Sequence, residues 1–184
     1  MEKRIVPTEI RKIFEGRVLT LQIETIALPR GGELRAEIVR HPGSVVLVPV
    51  TDAGEVVLVR QYRHAIGCDA WELPAGSLKR GEAPDAAALR ECQEEIGLIP
   101  SRLDRLGAFF PTPGYCDEEM VFYRATGLRT PMAEDSPARP DDDEDIESSP
   151  FPAEEIARMI ETGRIVDLKT VAGMALLRAA GGGR

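Results

Sequence analysis

Two kinds of apolar pattern run along the chain. "RVLTLQIETIAL" (17–28) and "LRAEIVR" (34–40) are β-rich runs in which apolar and polar residues mix, and the "PRGGE" between them reads as a hairpin turn. "SVVLVPV" (44–50) and "EVVLVRQYR" (55–63) are near-continuous valine and leucine, which predicts strands buried on both faces, parted by the turn signal "TDAG". Two more strands are expected at "LDRLGAFF" (103–110) and "EEMVFYRATGL" (118–128). Helices are expected from Pro84 onward, at "PAEEIARMIETG" (152–163) with a stop at Gly163, and at "LKTVAGMALLRAA" (168–180). The Pro- and acid-rich residues 129–143 predict a mobile loop, and no internal repeat is visible. Strands flanked by a few helices predict an α/β or α+β sandwich with a mixed sheet, preceded by an N-terminal antiparallel sheet.

Composition narrows the function classes. A chain of 184 residues, 43% hydrophobic and 29% charged, suits one globular domain with an added arm. It has no apolar run of membrane-spanning length, and its start lacks the apolar core of a signal peptide. Cys68, Cys92 and Cys116 are widely spaced and form no CxxC pair, as expected of reduced thiols in a cytoplasmic protein. Two histidines, His41 and His64, are too few for a histidine-based zinc site, and nothing resembles a Ser-His-Asp arrangement. A net charge of −8 argues against a nucleic-acid binder. An anionic ligand would therefore need metal ions and local arginines to overcome the protein's own field.

The segment "GSLKRGEAPDAAALRECQEEIGL" (76–98) concentrates the chemistry. Pro84 and Asp85 suit a helix's first turn. Glu91 and Glu95 are four residues apart and Glu94 is three from Glu91, so the three carboxylates share one side. Ala86, Ala87, Leu89, Cys92 and Ile96 are expected to supply the buried side, and Arg90 is placed to hold Glu94. Gly76 lets the backbone turn tightly after "WELPAG" and exposes the Ala75 carbonyl. Hard divalent cations take such oxygens, so the crowding makes sense around a cation.

Gly76, five residues, Glu82, seven residues, Arg90-Glu91-Cys92, one residue, Glu94-Glu95, one residue, Gly97-Leu98 resembles the Nudix box without a gap. Cys92 stands where a bulky aliphatic is more usual, a small departure because cysteine packs as a hydrophobe. "RQYRH" (60–64) before "WELPAG", Pro113 in "PTPGYCDE" and the closing "GRIVDLKTVAGMALL" are similar to the bacterial ADP-ribose pyrophosphatases, although Asp167 also has a plain role as a helix cap. The resemblance implies a Nudix α/β/α sandwich over 41–184, and a homodimer in which residues 1–40 form an exchanged β arm. It implies that Glu91, Glu95, Glu94 and the Ala75 carbonyl hold Mg²⁺ or Mn²⁺, with Glu82 an outer ligand or a partner of Arg90, and Arg90 orienting the carboxylates. Metal-dependent hydrolysis of ADP-ribose to AMP and ribose 5-phosphate is the implied reaction. GDP-mannose hydrolysis and non-hydrolytic sensing of ADP-ribose are the rivals. The general base falls in the acidic run 141–148, with Glu144 first and Asp142 second. Arg63 and Arg40 are candidates for phosphate, Glu72 for ribose hydroxyls, and Phe14 or Tyr115 beside Pro113 for stacking on a base.

Overall fold

A computed structural model describes residues 5–133, 135 and 146–181. The N-terminal strands β1 (Glu9–Glu15), β2 (Thr20–Ala27) and β3 (Glu33–Arg40) form an antiparallel sheet in the order β1-β2-β3. The hairpin anticipated from "PRGGE" joins β2 to β3, with Gly31 and Gly32 both at positive φ. β1 carries no sequence signal of its own. Its residues, EIRKIFE, are exposed throughout and heavily charged, and its pairing with β2 slips between Lys12 and Phe14.

β4 (Ser44–Pro49) is buried along its whole length, whereas β5 (Val56–Arg63) is buried over its first half and emerges towards its end. The two adjacent strands do not form a hairpin: each joins a different sheet. β5 lies between β6 (Cys68–Glu72) and β10 (Glu147–Phe151). β4 lies between β7 (Ala75–Ser77) and β9 (Met120–Arg129), with β8 (Ile99–Phe109) beyond β9. β4 and β9 run parallel and their other pairings are antiparallel, which makes this the expected mixed sheet. β10 was hidden inside an acidic, Ser- and Pro-containing stretch, and at the sheet's edge its Pro150 removes a backbone donor at little cost.

Three helices complete the described residues: α1 (Pro84–Ile96), α2 (Ala153–Glu161) and α3 (Leu168–Gly181). No described helix is long and apolar enough to cross a membrane. Alternation along β4 divides the core in two. Val45 and Leu47 pack with Ala87, Ala88 and Cys92 of α1 and with Val121, Tyr123 and Ala125 of β9. Val46 and Val48 turn the other way, to Leu58, Leu73, Phe122 and to Ile156 and Met159 of α2, with Ala172 and Leu176 of α3 packed alongside. The mixed sheet is thus covered by α1 on one face and by α2 and α3 on the other.

α1 begins at Pro84 and ends at Gly97, whose φ of 68° and N–H to Gln93 O at 3.1 Å make a left-handed cap. Its buried face differs from the sequence expectation. Ala87, Ala88 and Cys92 are buried together with Glu91 and Glu95, while Ala86 is exposed and Leu89 is 41% exposed. The helix sits so close to the sheet that alanines and a cysteine fill the gap, and the stripe beside them is carboxylate. Leu89→Ala should therefore cost under about 0.5 kcal/mol, against about 2–5 kcal/mol for the fully buried Leu47→Ala, in urea unfolding monitored by circular dichroism. Equal costs would place Leu89 in the core.

Candidate active site

A β-strand, a tight turn and a helix bring the acidic residues together. β7 pairs with β4 through Val45↔Gly76 and Val46↔Ala75, which holds the Ala75–Ser77 backbone against α1. At Gly76 a β-carbon would lie 1.9 Å from Glu91 Oε1 and 2.4 Å from Oε2, so the absence of a side chain there is what admits the Glu91 carboxylate. Glu95 Oε2 accepts the Ala75 N–H at 3.0 Å. Both carboxylates are 7% exposed, unusual for glutamate.

Arg90 organises the rest. Its Nε and Nη2 donate to the two oxygens of Glu82 at 2.8 and 2.9 Å, and Nη2 also reaches Ser77 O at 3.3 Å. Its Nη1 donates to Glu91 Oε1 at 2.5 Å and to Glu94 Oε2 at 2.6 Å. Glu82 further accepts the Lys79 N–H at 2.8 Å. These bonds, with Glu82 foremost, raise the Arg90 pKa above its ordinary value, and the guanidinium in turn holds Glu82 below the usual carboxylate range. Of the two roles expected for Glu82, partner of Arg90 is the one seen. Burial, reinforced by the Glu95 charge, pushes the Cys92 thiol up to about 12, so Cys92 is an inert packing group.

Glu91, Glu94 and Arg90 line an open cleft of about 650 Å³ together with Ala75 to Arg80, Arg17, Val18 and Pro42. Glu95 is buried and joins the cleft through its bond to the lining residue Ala75. Among the described residues no three His, Cys, Asp or Glu side chains stand in a ready metal-holding group. The donor set nonetheless fits a hard cation: Glu91 and Glu94 already share one positively charged nitrogen, and Gly76 leaves room for nothing but the carboxylate.

The remaining candidates are dispersed. Glu144 and Asp142 lie outside the described residues. Arg63 engages Glu72 in a two-bond fork, Nε to Oε1 at 2.9 Å and Nη2 to Oε2 at 2.6 Å, and Lys169 bonds the same Glu72 oxygen. Burial pushes the Glu72 carboxyl up, but the two cations overcome this and hold it below the usual range. Arg63, Glu72, Asp167 and Lys169 border a separate cavity of about 300 Å³. Arg40 ties Glu24 of β2 to Asp117, the latter at 2.8 Å. Phe14, Pro113 and Tyr115 are exposed, and the Tyr115 carbonyl accepts the Val39 N–H at 2.7 Å. None of these six substrate candidates lines the carboxylate cleft.

His41 is also committed: its Nδ1 accepts the Gly43 N–H at 3.1 Å, and its Nε2 faces Ser77 Oγ at 3.5 Å. Sequence reading missed Arg17, Lys79 and Arg80 on the cleft, since isolated basic residues in turns carry no periodic signal. Asp167 does act as a cap, accepting the Thr170 N–H at 2.9 Å.

The NUDIX domain model matches residues 40–172. Over 177 residues the chain is 37% identical to the methanol dehydrogenase activator of Bacillus methanolicus, covering 96% of this chain and 93% of that one. It is 33% identical to the ADP-ribose pyrophosphatase of Bacillus subtilis, covering 97% and 94%, and 36% identical to that of Mycobacterium tuberculosis, covering 91% and 80%. A crystal structure of an ADP compounds hydrolase superposes with a TM-score of 0.79 over 99% of this chain and 97% of that one, at 20% identity, a likeness of fold.

The three atoms nearest an added methyl group at Gly76 all belong to the Glu91 carboxylate, the far end of a side chain. Gly76→Ala should therefore melt within a few degrees of the parent while its Mn²⁺ affinity, read by electron paramagnetic resonance of the free ion, falls about tenfold or more. Undiminished affinity would show that the Glu91 position is immaterial to ion binding.

Proposed function

The chain belongs to the NUDIX family, and on that footing we propose that it hydrolyses the pyrophosphate bond of ADP-ribose, giving AMP and ribose 5-phosphate. The observation that carries this reading is the Gly76 cradle with the buried Glu91–Glu95 pair, set at one wall of a cleft of suitable size. The named activity of the two ADP-ribose pyrophosphatases, covered to 94% and 80% of their lengths, supports the substrate.

Glu91, Glu94, Glu95 and the Ala75 carbonyl would hold Mg²⁺ or Mn²⁺, which when bound neutralises the pyrophosphate and polarises the phosphorus under attack. The protein's own residues set the stage. Gly76 admits Glu91; the Ala75 N–H aligns Glu95; Arg90, itself anchored on Glu82, orients Glu91 and Glu94. Arg17, Lys79 and Arg80 bring positive charge to the cleft of a protein of net charge −8, where a diphosphate would otherwise be repelled. Water adds across the bridging P–O bond, one phosphate leaving on AMP and the other on ribose. Its proton is assigned to Glu144, with Asp142 as the alternative, on the acidity of their segment.

Residues 1–40 serve as a dimerisation arm in this reading. Ile10, Ile13, Phe14, Val18, Leu19 and Leu34 on β1, β2's approach and β3 are each 40–57% exposed, an apolar surface suited to a second copy of the chain. An exchanged arm would also bring Phe14 to the partner's site, whereas within one chain it stands away from the cleft.

A second reading takes its support from the relative named for methanol dehydrogenase activation. A rise in methanol dehydrogenase turnover on adding the wild-type chain would favour it, and no rise would remove it.

Two measurements test the main proposal. Glu95→Gln should melt cooperatively yet lose Mg²⁺-dependent AMP release by about 100-fold or more, the scale of several kcal/mol of lost charge stabilisation; AMP release at the parent rate would end the proposal. A kcat/KM for GDP-mannose above that for ADP-ribose would instead move the substrate assignment, and tight ADP-ribose binding without products would make the protein a sensor. Light scattering should give twice the chain mass, and Ile10→Asp with Phe14→Asp should return it to a monomer.

A further inference from the structure

Between β6 and β7 the backbone changes sheets. Glu72 still pairs with Val59 of β5, and Ala75 already pairs with Val46 of β4, so Leu73 and Pro74 cross from one ladder to the other. A buried amide at such a crossing has no strand partner and must find one elsewhere. Leu73 is fully buried. Its N–H is met by a side chain 97 residues away, Thr170 Oγ1 at 2.8 Å, and Thr170 is fully buried too. The Thr170 hydroxyl proton goes to Asp167 Oδ2 at 2.6 Å, so its lone pair is left pointing at the Leu73 N–H.

Two more contacts fasten the same crossing to α3. Lys169 bonds the Glu72 carboxylate. One turn after Thr170, Gly173 lets Leu73 lie directly on the helix: a β-carbon there would come 2.3 Å from Leu73 Cδ1 and 3.3 Å from Val48 Cγ2. On the far side, the Pro74 carbonyl accepts the Leu47 N–H at 2.8 Å. The next residue is Ala75, whose N–H aligns Glu95 and whose carbonyl is a proposed ion ligand.

We propose that Thr170 is a positioning residue for the ion site: by capturing the Leu73 amide it fixes where the Ala75 peptide stands, and through Ala75 the placement of Glu95. This rests on the proposed ion-binding role of Ala75 and Glu95. Thr170 touches neither ion nor substrate. It works from the opposite face of the mixed sheet to α1, and so links the start of the C-terminal helix to the carboxylate cleft.

Thr170→Val keeps the shape and removes the hydroxyl; Thr170→Ser keeps the hydroxyl and removes a methyl group. With the full chain, Mn²⁺ affinity by electron paramagnetic resonance, melting temperature, and kcat and KM for ADP-ribose are measured for both. The expected result is an affinity about tenfold weaker in the valine variant, the usual scale for a support behind a metal ligand, with kcat lowered and KM within about twofold. The serine variant should melt lower than the parent yet keep parental affinity and kcat. If valine fails to fold, Thr170→Ala is compared with the same serine control. A parent-like affinity and kcat in the hydroxyl-free variant overturns the proposal, as does a serine variant that loses both as fully. A parent that binds no Mn²⁺ refutes the ion-site reading beneath it, whereas a parent that binds and a valine variant that binds equally refute only the role of Thr170.

Discussion

The arrangement depends on keeping several carboxylates close together without losing the fold. Like charges about 4 Å apart near a protein surface repel by about 4 kcal/mol, and α1 carries Glu91, Glu94 and Glu95 within two turns, with Glu82 reaching the same arginine. In the protein alone Arg90 absorbs this, donating to three of the four, while the Ala75 N–H serves the fourth. The compensation is local and directional. It leaves the cluster stable enough to fold, with a surplus of negative oxygens that a divalent cation can relieve further. Gly76 is the steric half of the same constraint, since a larger residue would expel the carboxylate that the electrostatics have been arranged to hold.

β4 transmits this arrangement to the rest of the molecule. Its two faces belong to two different cores, one under α1 and one under α2 and α3, and its edge carries the Ala75–Ser77 backbone. All six residues of the strand are buried: Val45 to Val48 alternate between the two helical layers, and Ser44 Oγ donates to Glu118 Oε1 at 2.8 Å. The site is therefore built on a strand packed from both directions, while the groups expected to meet the substrate come from turns and from the arm.

What was legible in the sequence follows from how each signal arises. The buried strands at 44–50 and 55–63 were plain because a two-sided core demands unbroken apolar residues, and the start of the box helix was plain because its punctuation by Pro84 is chemical. β1 and β10 were not, since an exposed strand has no need to alternate. The buried face of α1 was misjudged at Leu89 and Ala86 because apolarity pointed one way and the close approach of helix to sheet decided otherwise. Within the site, the carboxylates and Arg90 were readable from their spacing. Arg63 with Glu72, and Arg40 with Glu24 and Asp117, are pairs whose members lie 9 to 77 residues apart, and only the folded chain shows them engaged with one another. The 97-residue reach of Thr170 is the extreme case.

The turn between β1 and β2 has a consequence for how such proteins diverge. Arg17 and Val18 form a wall of the cleft, and Arg40 with the Val39–Tyr115 bond lashes the same sheet to the loop before β9. The first 40 residues are thus no inert handle. A chimera that took this region from one relative and the remainder from another would inherit mismatched halves of a single cleft, so the two parts are expected to change in concert or not at all.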